Sequence, residues 1–371
     1  MSATTVGITF KVTPSGARVP ASERQRILSN PGFGKVFSEH MAVATWSRGR
    51  GWHDAEVRQY GQIAFDPGTS VLHYAQAVFE GLKAYRQEDG TVAVFRPEAN
   101  AARFQRSARR LALPELPAAA FVEAIDLVVG LDSDWVPSDP EHSLYLRPFM
   151  YASEVNLTVH PSDEVTFVLI ASPSGSYFPT GVKPVTVWLS EDFSRAAPGG
   201  TGEAKTGGNY AGSLLAQAQA AEQGCDQVVW LDAIEHRWVE EMGGMNLFFV
   251  FGSGSKARLV TPELTGTLLP GITRDSLLTL GRDLGYEVVE GRVSVDQWRA
   301  GCADGSLTEV FACGTAAVIT PVGAAKSAAG WWAIGDGKPG VVTMRLRQAL
   351  VDIQRGAAPD VHRWMHAVPA R

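Results

Sequence analysis

The most unusual local feature of the sequence is a glycine-rich loop that contains a single lysine. The segment Gly199–Tyr210 places Lys205 among five glycines, directly before an alanine-rich stretch with helical spacing. Glycine lets a backbone pass close to a flat, bulky ligand, because it has no side chain to collide with that ligand. A lysine amine in such a loop could form a covalent carbon–nitrogen bond with a carbonyl group. A solvated loop lysine is the alternative, since most lysines are exposed.

A phosphate-binding P-loop is a second chemical interpretation of this loop. That motif requires Gly-x-x-x-x-Gly-Lys-Ser/Thr directly between a strand and a helix. Ala204 stands where the last glycine is required, and the preceding strand is expected to end near Leu189, too far upstream. Gly207 and Gly208 would also interrupt a helix that starts after the lysine. The loop therefore matches a P-loop poorly.

Short motifs follow one another along nearly the whole chain. They lie at Phe33–Phe37 with His40–Met41, Phe79–Ala84, Phe95–Pro97, Asn100–Ala108, Tyr145–Pro148, Lys205–Tyr210, Gln227–Leu231, Glu241–Asn246, Leu269–Arg274 and Gly314–Ala316. In this order, the set resembles the branched-chain aminotransferases of the fold-type-IV pyridoxal-phosphate family. The resemblance implies an α+β fold of two domains, with pyridoxal 5′-phosphate at the domain interface.

The resemblance assigns roles around the cofactor ring. Lys205 matches the lysine that binds the cofactor aldehyde and, once displaced by substrate, carries the proton taken from the substrate α-carbon. Glu241 matches the carboxylate that faces the pyridine nitrogen and keeps it protonated. Counting back from Asn246 favours Glu241 over Glu240, and a surface carboxylate is the alternative. Tyr210 matches the residue that hydrogen-bonds the phenolate oxygen, a core tyrosine being its alternative.

The cofactor phosphate requires groups that bind a dianion. Arg103 matches the phosphate arginine of the family, although alone it would be one of four basic residues on an exposed helix face. Ile272 and Thr273 stand at the start of a stretch with helical spacing, and a helix N-terminus binds anions through its backbone N–H groups. Thr315 resembles the remaining phosphate or carboxylate ligand, and Ala316 adds its backbone amide.

The substrate pocket implied by the resemblance is aromatic, with one cation. Its apolar wall, suited to leucine, isoleucine and valine, matches Phe33, Tyr74, Phe79 and Tyr145, each of which could instead be ordinary core. Arg147 matches the arginine that binds the second carboxylate of glutamate. Because Tyr145 and Arg147 are two residues apart in a predicted strand, both should point to one face of the sheet.

Two positions depart from the family pattern. Animal members carry a Cys-x-x-Cys motif after Gly-Thr-Ala, whereas this chain has Ala317 and Thr320 there, so thiol control is not expected. Cys313 precedes that motif without a partner in it. Gly244 stands where some relatives have threonine, which removes one side-chain contact to the substrate.

Strands and helices that must position these residues can be read from periodicity. Predicted strands and hairpins cover 31–44, 46–65, 91–95, 144–151, 164–171, 184–189, 227–232, 238–241 and 247–251, with a further apolar run at 310–320, and predicted helices cover 100–111, 117–129, 210–223 and 273–284. The Ser/Pro/Gly cluster at 172–176 is the strongest linker signal. We expect a small N-terminal domain at 1–175, a linker at 176–186 and a larger domain at 187–371 that carries the lysine.

Bulk composition excludes several other classes of protein. The chain has 371 residues, 45% hydrophobic and 19% charged, which allows two folded domains. A formal charge of −6 with scattered Lys and Arg predicts no nucleic-acid partner. Three cysteines without ligand spacing predict neither disulfides nor a metal site, as in a cytoplasmic protein. No membrane span of about 18 apolar residues and no secretion signal are expected.

The resemblance therefore implies a homodimeric, ping-pong transaminase that exchanges amino groups between branched-chain amino acids and 2-oxoglutarate. Two rivals share the fold, a D-amino acid transaminase and an aminodeoxychorismate-lyase-like enzyme, and both would keep Lys205 and Glu241. A non-catalytic small-molecule binder could keep Arg103 and the anion site without covalent chemistry.

Overall fold

The computed structural model describes residues 8–175 and 182–370. Within them, the contacts divide the chain into a first unit, 8–175 with 204–207 and 353–370, and a second unit, 182–203 with 208–352. Residues 176–181, most of the expected linker, lie outside the described residues. The two units differ from the sequence-based domain bounds because the lysine segment 204–207 and the end of the chain pack on the first unit.

The first unit is an antiparallel-rich sheet covered by helices. Its elements are β1 Lys11–Val12, α1 Ala21–Ser29, β2 His40–Ser47, β3 Gly51–Gln59, α2 Val71–Tyr74, β4 Ala77–Phe79, β5 Leu82–Arg86, β6 Val92–Phe95, α3 Pro97–Arg110, α4 Ala118–Leu131, β7 Ser143–Ala152, β8 Glu164–Ser174 and, near the end of the chain, β18 Met365–Ala367. The strand order among the described residues is β1-β3-β2-β8-β7-β5-β6-β18, and β4 also pairs with β7.

Aromatic packing between helices and sheet forms the core of the first unit. Phe104 of α3 lies 5.5 Å from Phe121 of α4 and 6.0 Å from Phe167 of β8, measured between ring centroids. All three rings are essentially inaccessible to solvent. Burying a Phe side chain contributes about 1.5–3 kcal/mol. This core fixes α3, which carries Arg103, against the sheet that carries Tyr145 and Arg147.

The second unit contains most of the remaining elements. They are β9 Val185–Ser190, α5 Gly207–Ala211, α6 Leu214–Glu222, β10 Gln227–Leu231, β11 Val239–Met242, β12 Met245–Phe251, β13 Arg258–Thr261, α7 Ile272–Asp283, β14 Glu287–Glu290, α8 Val295–Asp304, β15 Leu307–Gly314, β16 Val318–Ser327, β17 Gly330–Ala333 and α9 Val341–Arg355. In the described parts of the chain, no helix is long and apolar enough to cross a membrane.

Strand pairing in the second unit forms a closed ring. The order is β11-β10-β9-β16-β15-β12-β13-β14, and β11 also pairs with β12, which closes a ring of six of these strands. Trp298 of α8 packs edge-on between Phe249 and Trp332, at centroid distances of 5.3 Å and 5.6 Å. The hairpin β11–β12 carries Glu241, and the turn between β15 and β16 carries Thr315 and Ala316.

Four sequence-based expectations about these elements are wrong. Helix α3 begins at Pro97, whose fixed φ suits the first helical position, and Asn100 lies inside it with its amide donating to the Arg96 carbonyl. Residues 172–174, taken as linker, continue β8, and Pro173 pairs with Leu144 of β7. Strand β2 pairs with β8 only as far as Leu169, so Pro173 needs no N–H on that side.

The third correction concerns the helix after the lysine. It begins at Gly207, not at Tyr210, and it is divided into α5 and α6 around residues 212–213. The two glycines therefore do not prevent a helix from starting after Lys205, because packing overrides a helix-propensity cost of about 1 kcal/mol per glycine. Ala204 still occupies the position of the P-loop glycine. Residues 31–39, expected to include a strand, form a loop before β2.

Candidate active site

Lys205 has a backbone that is fixed on both sides within the first unit. Its N–H donates to Ser107 Oγ at 2.9 Å, and its carbonyl accepts from the Phe79 N–H at 3.0 Å. The next residue, Thr206, forms a bridge with Val78 of β4 and donates its hydroxyl to the Ala77 carbonyl at 2.8 Å. The Lys205 side chain is half-buried, with Nζ 4.8 Å from the centroid of the Phe79 ring. The structure thus presents this amine on a rigid support.

Arg103 is held by a buried carboxylate in the same unit. Its Nε and Nη2 donate to Glu80 Oε1 and Oε2 at 2.7 Å and 2.8 Å, a two-point ion pair in which both side chains are inaccessible. Glu80 Oε2 also accepts from the Gly81 N–H at 3.1 Å. Paired guanidinium–carboxylate groups of this kind have a fixed orientation. Arg103 and Ser107 are one turn apart on α3, so the residue predicted to bind phosphate and the residue that holds Lys205 share a helix face.

Aromatic rings and Arg147 form a single cluster beside Lys205. Phe33 packs edge-on against Tyr145 at 5.1 Å between centroids. The Arg147 guanidinium carbon lies 4.8 Å from the Phe79 ring and 5.3 Å from the Tyr145 ring, and Nη2 donates to Tyr145 Oη at 3.1 Å. The contact confirms that Tyr145 and Arg147 share one face of β7. Arg147 Nε is buried and has no hydrogen-bond partner among the described residues.

Tyr74 takes a different environment from the rest of the predicted wall. It ends α2, it is 42% exposed, and its hydroxyl donates to the Leu157 carbonyl. Its ring contacts His73, at 6.2 Å between centroids. The sequence-based grouping of Tyr74 with Phe33, Phe79 and Tyr145 therefore remains a prediction.

In the second unit, Glu241 is a buried carboxylate with cationic and amide partners. Its Oε1 accepts from the Leu269 N–H at 2.6 Å and from Asn246 Nδ2 at 3.4 Å. Its Oε2 lies 3.0 Å from Arg195 Nε, and the two side chains are 2% and 4% exposed. Hydrogen bonds and a guanidinium favour the ionised form of a carboxyl group. This environment suits a residue that must present a negative charge to a ligand.

Glu240 differs sharply from its neighbour. Its Oε1 accepts from Thr267 Oγ1 at 2.5 Å, whereas Oε2 is buried and has no hydrogen-bond partner in the described parts of the chain. Burial raises the pKa of Glu240, opposed by the Thr267 hydroxyl and by the charge of Arg195. The two adjacent carboxylates therefore have opposite surroundings, which supports the sequence-based choice of Glu241.

Tyr210 lies on α5 and packs against the backbone of residue 244. A Cβ added to Gly244 would lie 3.1 Å from Tyr210 Cε1, closer than ordinary van der Waals contact. Gly244, whose role the sequence left open, thus provides space for the Tyr210 ring. A threonine there would have to displace the ring or be accommodated by a small shift.

The predicted anion-binding helix is present. Helix α7 begins at Ile272, so Ile272 and Thr273 occupy its first turn as expected. N–H groups of a first helical turn point out of the helix, where the helix dipole favours a negative charge. The cap residue Gly271 lies against Asn246, since a Cβ on that glycine would be 2.0 Å from Asn246 Oδ1. Asn246 thus connects the start of α7 with Glu241.

The hairpin between β15 and β16 places Thr315 and Ala316 in its turn, half-buried. Cys313 precedes it, paired across the ladder with Asn246. Its thiol is 1% exposed, and burial raises its pKa, with Glu241 adding to the shift and Arg274 opposing it. A buried thiol with a raised pKa is a poor nucleophile.

These groups match the chemical needs of pyridoxal 5′-phosphate. The aldehyde requires a primary amine, which Lys205 offers, and a protonated ring nitrogen requires a buried carboxylate, which Glu241 offers. The phosphate requires cations and N–H donors, which Arg103 and the first turn of α7 offer. Each of these chemical needs therefore has a candidate residue in one of the two units.

Sequence reasoning missed three residues that support this donor set. Glu80 lies within one of the recognised motifs but was given no role. Ser107 could have been found by its spacing of four residues from Arg103 on one helix face. Arg195 carried no sequence signal, since an arginine in a Pro/Gly-rich loop is ordinarily exposed.

A family model described as amino-transferase class IV matches residues 77–325. The chain belongs to this family. A Streptomyces coelicolor protein named as a probable branched-chain-amino-acid aminotransferase is 61% identical over 361 residues, 97% of this chain and 99% of that protein. The predicted family is thereby confirmed.

Solved structures of class IV aminotransferases have the same fold. The branched-chain amino acid aminotransferase of Escherichia coli matches with a TM-score of 0.74 at 28% identity, covering 90% of this chain and 100% of that chain. A second branched-chain amino acid aminotransferase, the T.th. enzyme solved with pyridoxamine 5′-phosphate, matches with a TM-score of 0.72 at 30% identity, covering 88% and 99%. The predicted α+β fold-type-IV class is confirmed.

Proposed function

We propose that this class IV aminotransferase moves the amino group between branched-chain L-amino acids and 2-oxoglutarate, with pyridoxal 5′-phosphate bound covalently to Lys205. The observation that carries the proposal is the fixed position of Lys205, whose backbone is bonded to Ser107 and Phe79 and whose amine lies against an aromatic face. The names of the 61%-identical relative and of the E. coli structural neighbour support the substrate class, and the pyridoxamine 5′-phosphate in the second solved structure supports the cofactor.

The Lys205 amine is the proton carrier of the reaction. When bound, the cofactor supplies an electron sink that makes the substrate α-proton acidic. As a free amine, Lys205 Nζ accepts this proton, a general-base role that typically accelerates a step by about 10²–10⁴-fold. The hydrogen bonds of its peptide to Ser107 and Phe79 limit the positions that Nζ can reach. Proton removal and return therefore occur at one side of the substrate.

Charged groups of the chain hold the two ends of the cofactor. Glu241 binds the ring N–H, and its negative charge keeps that proton in place. The Tyr210 hydroxyl would donate a hydrogen bond to the phenolate oxygen of the ring. Arg103, oriented by Glu80, binds the phosphate together with the first-turn N–H groups of Ile272 and Thr273 and the hydroxyl of Thr315.

Two kinds of substrate side chain must be accepted at the same place. The rings of Phe33, Phe79 and Tyr145 form an apolar wall for leucine, isoleucine and valine, and Tyr74 is proposed to extend it. For glutamate, Arg147 binds the distal carboxylate, and its buried Nε is a donor without a partner in the described residues. Thr315 and Ala316 bind the α-carboxylate through their backbone N–H groups.

We also propose that the protein is a homodimer and that it acts in the cytoplasm. Large apolar side chains are exposed on one region of the first unit, with Leu72 57%, Val155 60%, Leu157 63% and Val159 78% exposed. Helix α2, which carries Leu72, is joined to this region by the Tyr74–Leu157 hydrogen bond. Exposed apolar patches are typical of protein interfaces, so a second copy of the chain would cover this region. Light scattering of the purified protein at several concentrations tests it.

Hydride trapping tests the covalent link directly. Cofactor-loaded protein is reduced with borohydride, digested and analysed by mass spectrometry, with Lys205→Ala as the control. We expect the cofactor mass on the peptide that contains Lys205 and its absence from the variant. An adduct on another lysine, or none in fully loaded protein, would refute the proposal.

Half-reaction titrations then separate the rival activities. The absorbance band of loaded protein is followed while L-leucine, L-isoleucine, L-valine, L-glutamate or D-amino acids are added. Conversion by the L-amino acids alone is expected. Conversion by D-amino acids would favour the D-amino acid transaminase, and a band that no amino acid changes would favour a lyase or a non-catalytic binder.

A further inference from the structure

Arg195 makes several buried polar contacts beside Glu241. Its Nε lies 3.0 Å from Glu241 Oε2, and its side chain is 4% exposed. Its Nη1 donates to the Thr267 carbonyl at 2.7 Å, and both Nη1 and Nη2 donate to the Gly202 carbonyl at 3.2 Å. One guanidinium therefore holds a carboxylate and two backbone carbonyls at once.

The contact with Gly202 depends on a very close approach of two backbone segments. A Cβ on Gly202 would lie 2.2 Å from the Thr267 carbonyl oxygen and 2.7 Å from the Ala196 Cβ. Only glycine fits there. Gly202 stands three residues before Lys205, so the carbonyl that Arg195 holds belongs to the segment leading to the lysine. The Arg195 guanidinium therefore connects this segment with Glu241 of β11.

The positive charge of Arg195 acts on two carboxylates, Glu241 and Glu240. It faces Glu241 directly, and it also lowers the pKa of Glu240. Burial and the charge of Asp232 act in the opposite direction and raise the pKa of Glu240. Among the other titratable groups, Cys313 feels the charge of Glu241, which raises the pKa of its thiol together with burial. Breaking a buried ion pair by removing one partner leaves the other charge uncompensated, which is costly.

We propose that Arg195 is a positioning residue that keeps Glu241 ionised and oriented. The inference rests on the proposed function, because Glu241 is assigned there to the ring nitrogen of the cofactor. Removing Arg195 would take away the guanidinium that favours the ionised form of Glu241, and a protonated Glu241 could no longer hold a proton on the ring nitrogen. The effect of Arg195 should therefore pass through Glu241.

A double-mutant cycle measures whether it does. Arg195→Gln, Glu241→Gln and the double variant are compared in the leucine half-reaction, with cofactor affinity of the apoprotein and the pH dependence of the cofactor absorbance as further readouts. We expect Arg195→Gln to lower kcat by about 10–100-fold, the size expected for loss of one hydrogen bond to a charged group, with a KM change below about threefold. In the Glu241→Gln background the same substitution should cost less than about threefold. Arg195→Lys should restore part of kcat and of the absorbance profile.

Glu240→Gln is the matched control, because Glu240 also faces Arg195. The loss caused by Arg195→Gln should persist in full in the Glu240→Gln background. Additive losses with Glu241→Gln, or an unchanged kcat and absorbance profile in Arg195→Gln, would overturn the inference. If Arg195→Gln does not fold, Arg195→Lys is carried through the same cycle, and additivity there has the same meaning. The proposed function fails separately, through absence of the Lys205 adduct in the wild-type protein.

Discussion

Gly81 is predicted to control how the pocket treats glutamate. A Cβ at this position would lie 2.0 Å from Tyr145 Oη and 2.9 Å from Tyr145 Cζ. Non-bonded heavy atoms rest about 3.5 Å apart, so in Gly81→Ala the phenol tip must retreat by roughly 1.5 Å. This retreat breaks the 3.1 Å hydrogen bond from Arg147 Nη2 to Tyr145 Oη. Arg147 then loses the contact that fixes its guanidinium.

The expected size of the effect follows from the bond that is lost. A hydrogen bond to a charged group contributes about 1.5–3 kcal/mol, and 1.4 kcal/mol corresponds to tenfold in rate. The glutamate half-reaction should therefore lose about 10–100-fold in kcat/KM. The leucine half-reaction does not use the Arg147 charge and should lose no more than about fivefold, the equivalent of about 1 kcal/mol of disturbed apolar packing.

Single-turnover absorbance measurements with L-glutamate and L-leucine provide the assay for Gly81→Ala. Gly61→Ala is the matched control, because a Cβ on Gly61 would meet nothing within 4 Å. Tyr145→Phe removes the same hydroxyl without the added methyl group and should shift the ratio of the two half-reactions in the same direction. Equal losses with both amino acids in Gly81→Ala would refute the reasoning, since the damage would then not pass through Arg147.

Three further predictions concern other parts of the site. Lys205→Ala should lower turnover by about 10³-fold or more while fluorescence titration still detects cofactor binding through the phosphate contacts, and near-normal activity would contradict the assignment. The pKa of Glu240 is raised in the folded state, so the stability from its protonated form is present at low pH and is lost as pH rises through the folded pKa. Glu240→Gln should therefore melt at a higher temperature than wild type at pH 8, with the difference disappearing near pH 4; an equal difference at both pH values would exclude titration of Glu240 as its cause. Gly244→Thr should crowd the Tyr210 ring, costing about 1–3 kcal/mol in urea unfolding and shifting the cofactor absorbance, whereas an unshifted band would show that the ring has room to move.

Many strands and helices could be predicted from the spacing of apolar residues, because one face or the whole of each element is buried. The strands at 185–190 and 227–231 are runs of β-branched and aromatic residues, and both were placed within about two residues, the usual uncertainty of element ends. Helix α7 was placed from its leucine spacing alone. Helices α1 and α8 were missed, because α1 has no buried residue and α8 buries only Trp298 and Gly301, so neither has a strong apolar stripe.

The residues proposed to contact the cofactor could be assigned from the sequence, whereas the residues that support them could not. Lys205, Glu241 and Tyr210 could be assigned because their motifs are local in sequence. The partners that hold them are distant in sequence: Ser107 is 98 residues from Lys205. Such contacts depend on which strands and helices become neighbours. Local pattern carries no information about that choice.

Three glycines near the proposed site illustrate the same limit. Gly81, Gly202 and Gly271 each occupy a position where a Cβ would lie within 2.0–2.2 Å of an oxygen, those of Tyr145, Thr267 and Asn246 respectively. Tyr145 Oη accepts a hydrogen bond from Arg147, and the Thr267 carbonyl accepts one from Arg195. Asn246 donates to Glu241 through its side-chain amide. These glycines are therefore required by the groups that support the site. The sequence argument attributed the glycines near Lys205 to a flat ligand, whereas Gly202 makes room for a carbonyl that binds Arg195, so the glycine-rich loop is shaped by its protein neighbours as well as by the cofactor.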